Sequence, residues 1–287
     1  MSHLIQTPLD ARTASLARQW CVSVTESQET PTGRVAFGRR GSVPVVLRTV
    51  RRPGDEWNAG AIIQAFHGRG MVRLLEAVPG AVLLERLCPG TPAASLSLAG
   101  ADDEAIRVLA NVLSRFAPAR APEGSPTVQD WGNGFTTYLA SGDAKIPPGL
   151  VERAEGWYQA LIRTQRRVRL LHGDFHHYNV LSDQHRGWLA IDPKGVIGEV
   201  EYELGAVLRN PIERLASFSS TRAVEHRLSL LGSHLRLNLD RVLAWAFAQA
   251  VLSAIWTVED RHPPLPDDPI LILILARRLE PMLPAPP

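Results

Sequence analysis

Cysteine is nearly missing from this chain of 287 residues, which has only Cys21 and Cys88. Two such residues make no disulfide framework and fit a reducing cytosol. Neither adjoins a basic residue or a histidine, so neither is marked as a nucleophile. An excess of one charge is missing too. The 31 Lys and Arg residues against 29 Asp and Glu leave a net charge of +2, so no attraction to nucleic acid or to a membrane surface is expected. The apolar run Ile270–Ala276 is far too short to cross a bilayer. No charged segment followed by an apolar core stands at the start to suggest a secretory signal. There is no internal repeat. A soluble cytoplasmic protein is therefore the default expectation, and the length allows one large domain or two lobes.

What the chain does have is concentrated in one segment. Leu170-Leu171-His172-Gly173-Asp174-Phe175-His176-His177-Tyr178-Asn179-Val180-Leu181 is followed by Trp188-Leu189-Ala190-Ile191-Asp192-Pro193-Lys194-Gly195. An Asp follows His-Gly, an Asn comes five residues later, and a second Asp follows an apolar stretch thirteen residues beyond that. Phosphoryl transfer from a metal–nucleotide complex needs this set of groups. One carboxylate positions the attacking hydroxyl and takes its proton, while an amide oxygen and a second carboxylate hold the metal on the phosphates. Asp174 takes the first role, and Asn179 and Asp192 the second. Apolar flanks read as short strands, with Ser182–Gly187 as the turn of a hairpin that brings the three groups to one edge. Mg²⁺ suits one Asn, one Asp and phosphate oxygens. His172, His176 and His177 lack a fourth ligand at a usual zinc spacing, and a bracing role for His172 is the better reading.

His172–Asn179 is similar to the catalytic loop of the aminoglycoside phosphotransferase-like kinases, most of all their streptomycin 6-phosphotransferase and hydroxyurea phosphotransferase branch. Ile191–Glu199 resembles that branch's metal-binding segment, and Leu208-Arg209-Asn210-Pro211 is similar to the stretch that comes after it there. Gly68–Glu76 and Leu83–Leu87 also match, so the resemblance runs from about residue 43 to 260. It implies an α+β, two-lobed protein-kinase-like fold, with a small, mostly antiparallel β lobe over residues 1–88 and a larger helical lobe over 89–287. It also implies ATP and Mg²⁺ as cofactors and a small hydroxylated acceptor, an aminoglycoside such as streptomycin. Kinases carry a Lys on the third strand paired with a Glu on the next helix; here Arg48 and Glu56 take those places. Lys194 lies near Asp192 and is a conjectural supplement to that charge. Backbone groups of Glu85, Leu87 and Cys88 are expected to meet the adenine, with Leu47, Leu84 and Ile191 as walls.

Trp20–Thr25, Gly33–Gly38, Val43–Val50, Met71–Glu76 and Ala81–Leu87 read as strands, with a helix over Pro53–Phe66. Pro89-Gly90-Thr91-Pro92 reads as the hinge. Ala101–Phe116, Gly149–Arg166, Arg241–Val258 and Pro269–Leu279 carry helical apolar stripes, and Ala117–Thr127 reads as a linker. No GxGxxG precedes the second strand, and Thr25–Thr32 with Ser27, Thr30 and Thr32 is the segment left to cover phosphate. A polycationic acceptor calls for carboxylates: Glu199, Glu201 and Glu203 lie near the catalytic segment, with Glu259 and Asp260 further off, and Tyr202 beside them is a further candidate for the acceptor pocket. Trp131, Trp245 and Trp256 offer flat surfaces for a sugar ring. Two other readings use the same residues. One is a kinase for another hydroxylated metabolite; the other is a nucleotide-binding protein with little transfer activity.

Overall fold

Asp10 starts the first helix, Ala11–Gln19 (α1), by accepting the Thr13 amide at 2.9 Å. The computed structural model describes residues 9–259 and 269–285. Ser23–Glu29 (β1), Gly33–Arg40 (β2) and Val43–Val50 (β3) come next, then the short helix Ala59–Ala65 (α2) and the strands Leu74–Val78 (β4) and Ala81–Glu85 (β5). They form one antiparallel sheet in the order β1-β2-β3-β5-β4. Alternation along β3 splits its residues between two faces. Val45 and Leu47 pack with Leu83 under Leu16 and Ala17 of α1 and under Trp20, which follows it. Val46 and Arg48 face the opposite way, into a cleft.

The chain continues through Pro89–Pro92 (β6), Ala94–Leu98 (α3), Asp102–Ser114 (α4), Val128–Ser141 (α5) and Pro148–Arg163 (α6). Arg169–Leu171 (β7) pairs with Val196–Gly198 (β10). Between them lies the hairpin Val180–Asp183 (β8) and Gly187–Ala190 (β9), onto which β6 adds. Leu204–Arg209 (α7), Leu215–Phe218 (α8), Thr221–His234 (α9), Leu239–Glu259 (α10) and Pro269–Leu279 (α11) complete the helical part. By length and composition α10 could cross a membrane. Here it is a core helix, buried along Val242–Leu252 against α5, α6, α7 and α11.

Several elements depart from the expected boundaries. The helix expected from Pro53 begins six residues later, at Ala59, and Asp55–Asn58 form turns. The Trp57 carbonyl is taken by the Gly80 amide at 2.7 Å, so it cannot join a helical ladder. Glu56 therefore sits in a turn ahead of α2. The first strand starts at Ser23 because Trp20 closes α1 and packs into the core. Thr25–Glu29 belong to β1, and Thr30 and Gly33 exchange backbone hydrogen bonds at 3.0 and 3.2 Å around a two-residue turn, so no open loop stands there. Helices α1, α3, α5, α7, α8 and α9 lie outside the expected set. The three long ones, α1, α5 and α9, each had a cap to signal it: Asp10, the Thr127–Asp130 capping box and Ser220. Ala117–Thr127 is irregular as expected and is pinned by Ala119 to Ala65 and by Ile197 to Pro126.

Candidate active site

Strands β7 and β8 are the rails that hold the His172–Asn179 loop. His172 is fully buried and stacks on Phe116 with rings 6° from parallel. Its Nε2 lies 2.8 Å from the Ile191 carbonyl, which can only accept, so Nε2 carries the proton. Nδ1 is then the acceptor for the Asp174 amide at 3.3 Å. Burial pushes the His172 pKa down to about 4, so the ring is neutral near pH 7. Glu203, also buried, accepts the amides of His172 and Gly173. Burial raises its carboxyl to about 7, with those two amides opposing.

Asn179 donates its Nδ2 to the Asp174 carbonyl at 2.9 Å and lies 3.4 Å from Asp174 Oδ2. That commitment turns its amide oxygen away, ready for another partner. Asn179 and Ile191 are joined backbone to backbone at 2.9 Å, which brings Asp192 beside them. Asp192 holds a left-handed φ of 60°, a strained value that aims its carboxylate at this edge. An amide oxygen and a carboxylate are hard donors, and together they fit Mg²⁺ shared with phosphate oxygens. Burial raises the Asp192 carboxyl, with Glu56 and Asp174 adding to it and Arg48 and Lys194 opposing. Asp174 goes the other way: burial alone would raise it, but His176 and Lys194 hold it below the usual carboxylate range. The three histidines have separate surroundings, and no cluster of three His, Cys, Asp or Glu side chains suited to a metal occurs among the described residues.

Glu56 ties the two parts of the site together. Its Oε2 accepts Arg48 at 2.7 Å and the Thr32 hydroxyl at 2.8 Å, while Oε1 accepts Lys194. Arg48 also reaches Asp192. Burial would raise the Glu56 carboxyl, but Arg48 and Lys194 outweigh it and hold it low.

Two cavities flank these residues. One of about 410 Å³ is walled by Val46, Leu84, Leu181 and Ile191, with Arg48 and Asp192 at its polar end and Glu85 and Leu87 at its rim. The other, of about 680 Å³, is lined by Asp174, His176 and Lys194 together with Asp55, Asp130, Trp131 and Trp256. Trp131 and Trp256 meet edge to face at 5.9 Å.

The chain matches the family described as aminoglycoside/hydroxyurea antibiotic resistance kinase over residues 23–261. It belongs to that family. Streptomycin 3''-kinase of Klebsiella pneumoniae is 33% identical over 230 residues, covering 77% of this chain and 83% of that protein. Streptomycin 6-kinase of Streptomyces griseus is 32% identical over 243 residues, covering 79% and 78%. Hydroxyurea phosphotransferase of Kitasatospora aureofaciens is 31% identical over 256 residues, covering 81% and 71%. Among solved structures, choline kinase from Streptococcus pneumoniae matches with a TM-score of 0.64 at 12% identity, over 94% of this chain and 98% of that one. A thermostable mutant aminoglycoside phosphotransferase in complex with ADP and hygromycin B gives 0.63 at 15%, over 94% and 98%. The fold is that of the protein-kinase-like phosphotransferases, and this protein is such an enzyme.

The kinase departs from its sequence reading at particular residues. Leu47 lies under α1, on the far side of the sheet, and Val46 takes its place in the cleft. The Cys88 amide is engaged by Asp183 Oδ2 at 3.2 Å, so it is not offered to a ligand. Glu85 spends its carboxylate on Arg186 and on the Arg73 amide. Thr32 is bound to Glu56. Glu199 is fully buried: Oε1 accepts Arg241 Nε at 2.9 Å and Trp245 Nε1 at 2.6 Å, and Oε2 accepts the Arg166 amide at 3.0 Å. It braces β10 against α10 and does not reach the larger cavity, and Trp245 is buried with it. Glu201 accepts the Asn238 amide at 3.2 Å and is also away from that cavity. Tyr202 does line it, packed on Trp131 at 6.1 Å. Glu259 is exposed and Asp260 lies outside the described residues. Asp55 and Asp130 are the cavity carboxylates that the sequence reading missed; the capping-box spacing of Thr127 and Asp130 was a signal for the second.

Glu199→Ala should cost about 3–5 kcal/mol of stability, because it strands the Arg241 guanidinium in the interior. Urea denaturation measures this, and acceptor KM in the folded fraction should stay unchanged. A KM rise without loss of stability would assign Glu199 to the acceptor instead. His172 has a folded pKa below its unfolded value of 6.5, so its contribution is complete above pH 6.5 and is lost as pH falls toward 4. Between pH 7.5 and 4 the wild type should lose about 3 kcal/mol more stability than His172→Gln; parallel pH curves would contradict this.

Proposed function

We propose that this kinase moves the γ-phosphoryl group of ATP to a hydroxyl of a cationic aminoglycoside such as streptomycin, and so inactivates it. The observation that carries the reading is a pair of cavities linked by one set of ion pairs. Asp174 and Lys194 line the larger, Arg48 and Asp192 front the smaller, and Glu56 pairs with both Arg48 and Lys194. The smaller cavity has the apolar walls of a base site, with Glu85 and Leu87 at its rim to meet the adenine edge.

In the transfer, the acceptor oxygen bonds to the γ-phosphorus while the bond from that phosphorus to the bridging oxygen breaks. The electron pair leaves on ADP, and the hydroxyl proton passes to Asp174. Asp174 is held for this by Asn179 and by His176, whose Nδ1 accepts the Tyr178 amide at 3.2 Å and so leaves Nε2 to donate toward Asp174. Asn179 and Asp192 would hold Mg²⁺, which supplies positive charge to the phosphates when bound. Arg48, steadied by Glu56, orients the phosphates on the cleft wall.

The larger cavity favours a cationic acceptor with rings. Asp55 and Asp130 supply carboxylates and Trp131 and Trp256 supply faces for a cation or a sugar. Two streptomycin kinases among the relatives support the same acceptor, and a cavity of about 680 Å³ is far larger than hydroxyurea needs. On this reading residues 1–88 bind the nucleotide, residues 89–287 carry catalysis and most of the acceptor site, and the enzyme works in the cytoplasm, where ATP is kept. A nucleotide binder with little transfer has less support, since Asp174, Asn179 and Asp192 are gathered at one edge.

ADP release from Mg·ATP across an aminoglycoside panel led by streptomycin tests the reading. Asp174→Ala should lower release by about 10³-fold while leaving nucleotide affinity near wild type; undiminished turnover would remove Asp174 from the role. Asp130→Asn should raise the streptomycin KM severalfold with kcat little changed, whereas an unchanged KM would take Asp130 out of the acceptor site.

A further inference from the structure

Only two of the chain's 31 basic residues are lysines, Lys145 and Lys194. Lys145 is an exposed residue paired with Asp143 at 3.3 Å. Lys194 is the lysine of the active site, in a chain that uses arginine almost everywhere else, including at position 48. The two side chains are not equivalent: arginine is a rigid planar fork, while lysine is a compact charge on a flexible stem.

The surroundings of Lys194 give that difference a use. Its ammonium is held on the Glu56 oxygen opposite the one that holds Arg48. It lines the larger cavity with Asp174, and also a side recess with Thr32, Arg51 and Glu56. Its own amide donates to the His172 carbonyl at 2.9 Å, so it rides on the same loop as Asp174. Arg48 belongs to the other cavity, against Asp192.

We infer that Lys194 is a catalytic residue whose ammonium contacts the γ-phosphoryl group as it passes between the cavities, while Arg48 holds the phosphates that remain on ADP. The inference rests on the phosphotransferase reading above. During transfer the new bond from the acceptor oxygen to phosphorus forms, the bond to the bridging oxygen breaks with its electron pair staying on ADP, and charge spreads over the three oxygens of the moving group. A compact cation on a flexible stem can track those oxygens. A guanidinium fixed to Glu56 and Asp192 cannot.

The test compares Mg·ATP and Mg·ADP affinities by calorimetry for the wild type, Lys194→Met, Lys194→Gln and Arg48→Met, with melting curves to establish folding. A cation on the γ-phosphoryl group acts on ATP and not on ADP. Both Lys194 variants should weaken Mg·ATP by about tenfold to a hundredfold and leave Mg·ADP within twofold, while Arg48→Met weakens both. Equal effects on the two nucleotides, or none, would overturn the inference. Lys194→Arg should restore ATP preference but only part of streptomycin turnover; complete restoration would overturn the need for a compact ammonium. A wild type that binds no Mg·ATP would sink the phosphotransferase reading itself. If the wild type binds Mg·ATP but leaves streptomycin unmodified, the acceptor falls and the ATP–ADP contrast still decides Lys194.

Discussion

The carboxylate of Glu56 is the fixed point on which the active site depends. It joins three distant segments: Arg48 on β3, Thr32 in the first hairpin turn and Lys194 after Asp192. A buried carboxylate without partners costs several kcal/mol, and so does a buried cation that loses its carboxylate. Each member therefore depends on the others being in place. Glu56, Asp174 and Asp192 are three carboxylates facing two cations, Arg48 and Lys194. The cluster is one positive charge short, and the neighbouring Glu56 and Asp174 carboxylates add to the burial that raises the Asp192 carboxyl.

Around this cluster the backbone is held by groups that have no chemistry of their own. The His172 ring fixes the Asp174 amide from one side and the Ile191 carbonyl from the other. Glu203 holds the two amides before Asp174. Gly195 has a φ of 77°, and a Cβ there would lie 2.4 Å from Ile62 Cδ1, so α2 packs directly on the segment after Asp192. The strained Asp192 persists because its neighbours on both sides are fixed in this way.

The edge that gathers Asp174, Asn179 and Asp192 was legible in the sequence because it is local. Asp174, Asn179 and Asp192 flank the two ends of one hairpin, β8–β9, so spacing along the chain translates directly into proximity. The identity of the strands was legible for the same reason. Errors arose where a residue's direction mattered. Arg48 facing the cleft requires Val46 to face it and Leu47 to face away, a parity present in the sequence but not applied. Glu56 was assigned to a helix that a single carbonyl, that of Trp57, shortens. Tertiary partners of that kind are invisible to periodicity.

The larger cavity, the proposed acceptor site, shows the limit most clearly, since its walls come from the turn before α2, from α5, from the His172–Asn179 loop and from α10. Proximity in sequence to Asp192 favoured Glu199, yet a carboxylate is available to a ligand only if its oxygens are not already used. Both oxygens of Glu199 are used, by Arg241, Trp245 and Arg166. In Asp130 the capping box draws the Thr127 amide and hydroxyl to the same oxygen, Oδ2, at 2.7 Å each. Its other oxygen remains free at the cavity wall, and the hydrogen bonds at Oδ2 keep the group ionised, lowering its pKa. A helix cap thus fixes the carboxylate's orientation and maintains its charge, which is what recognition of a cation requires.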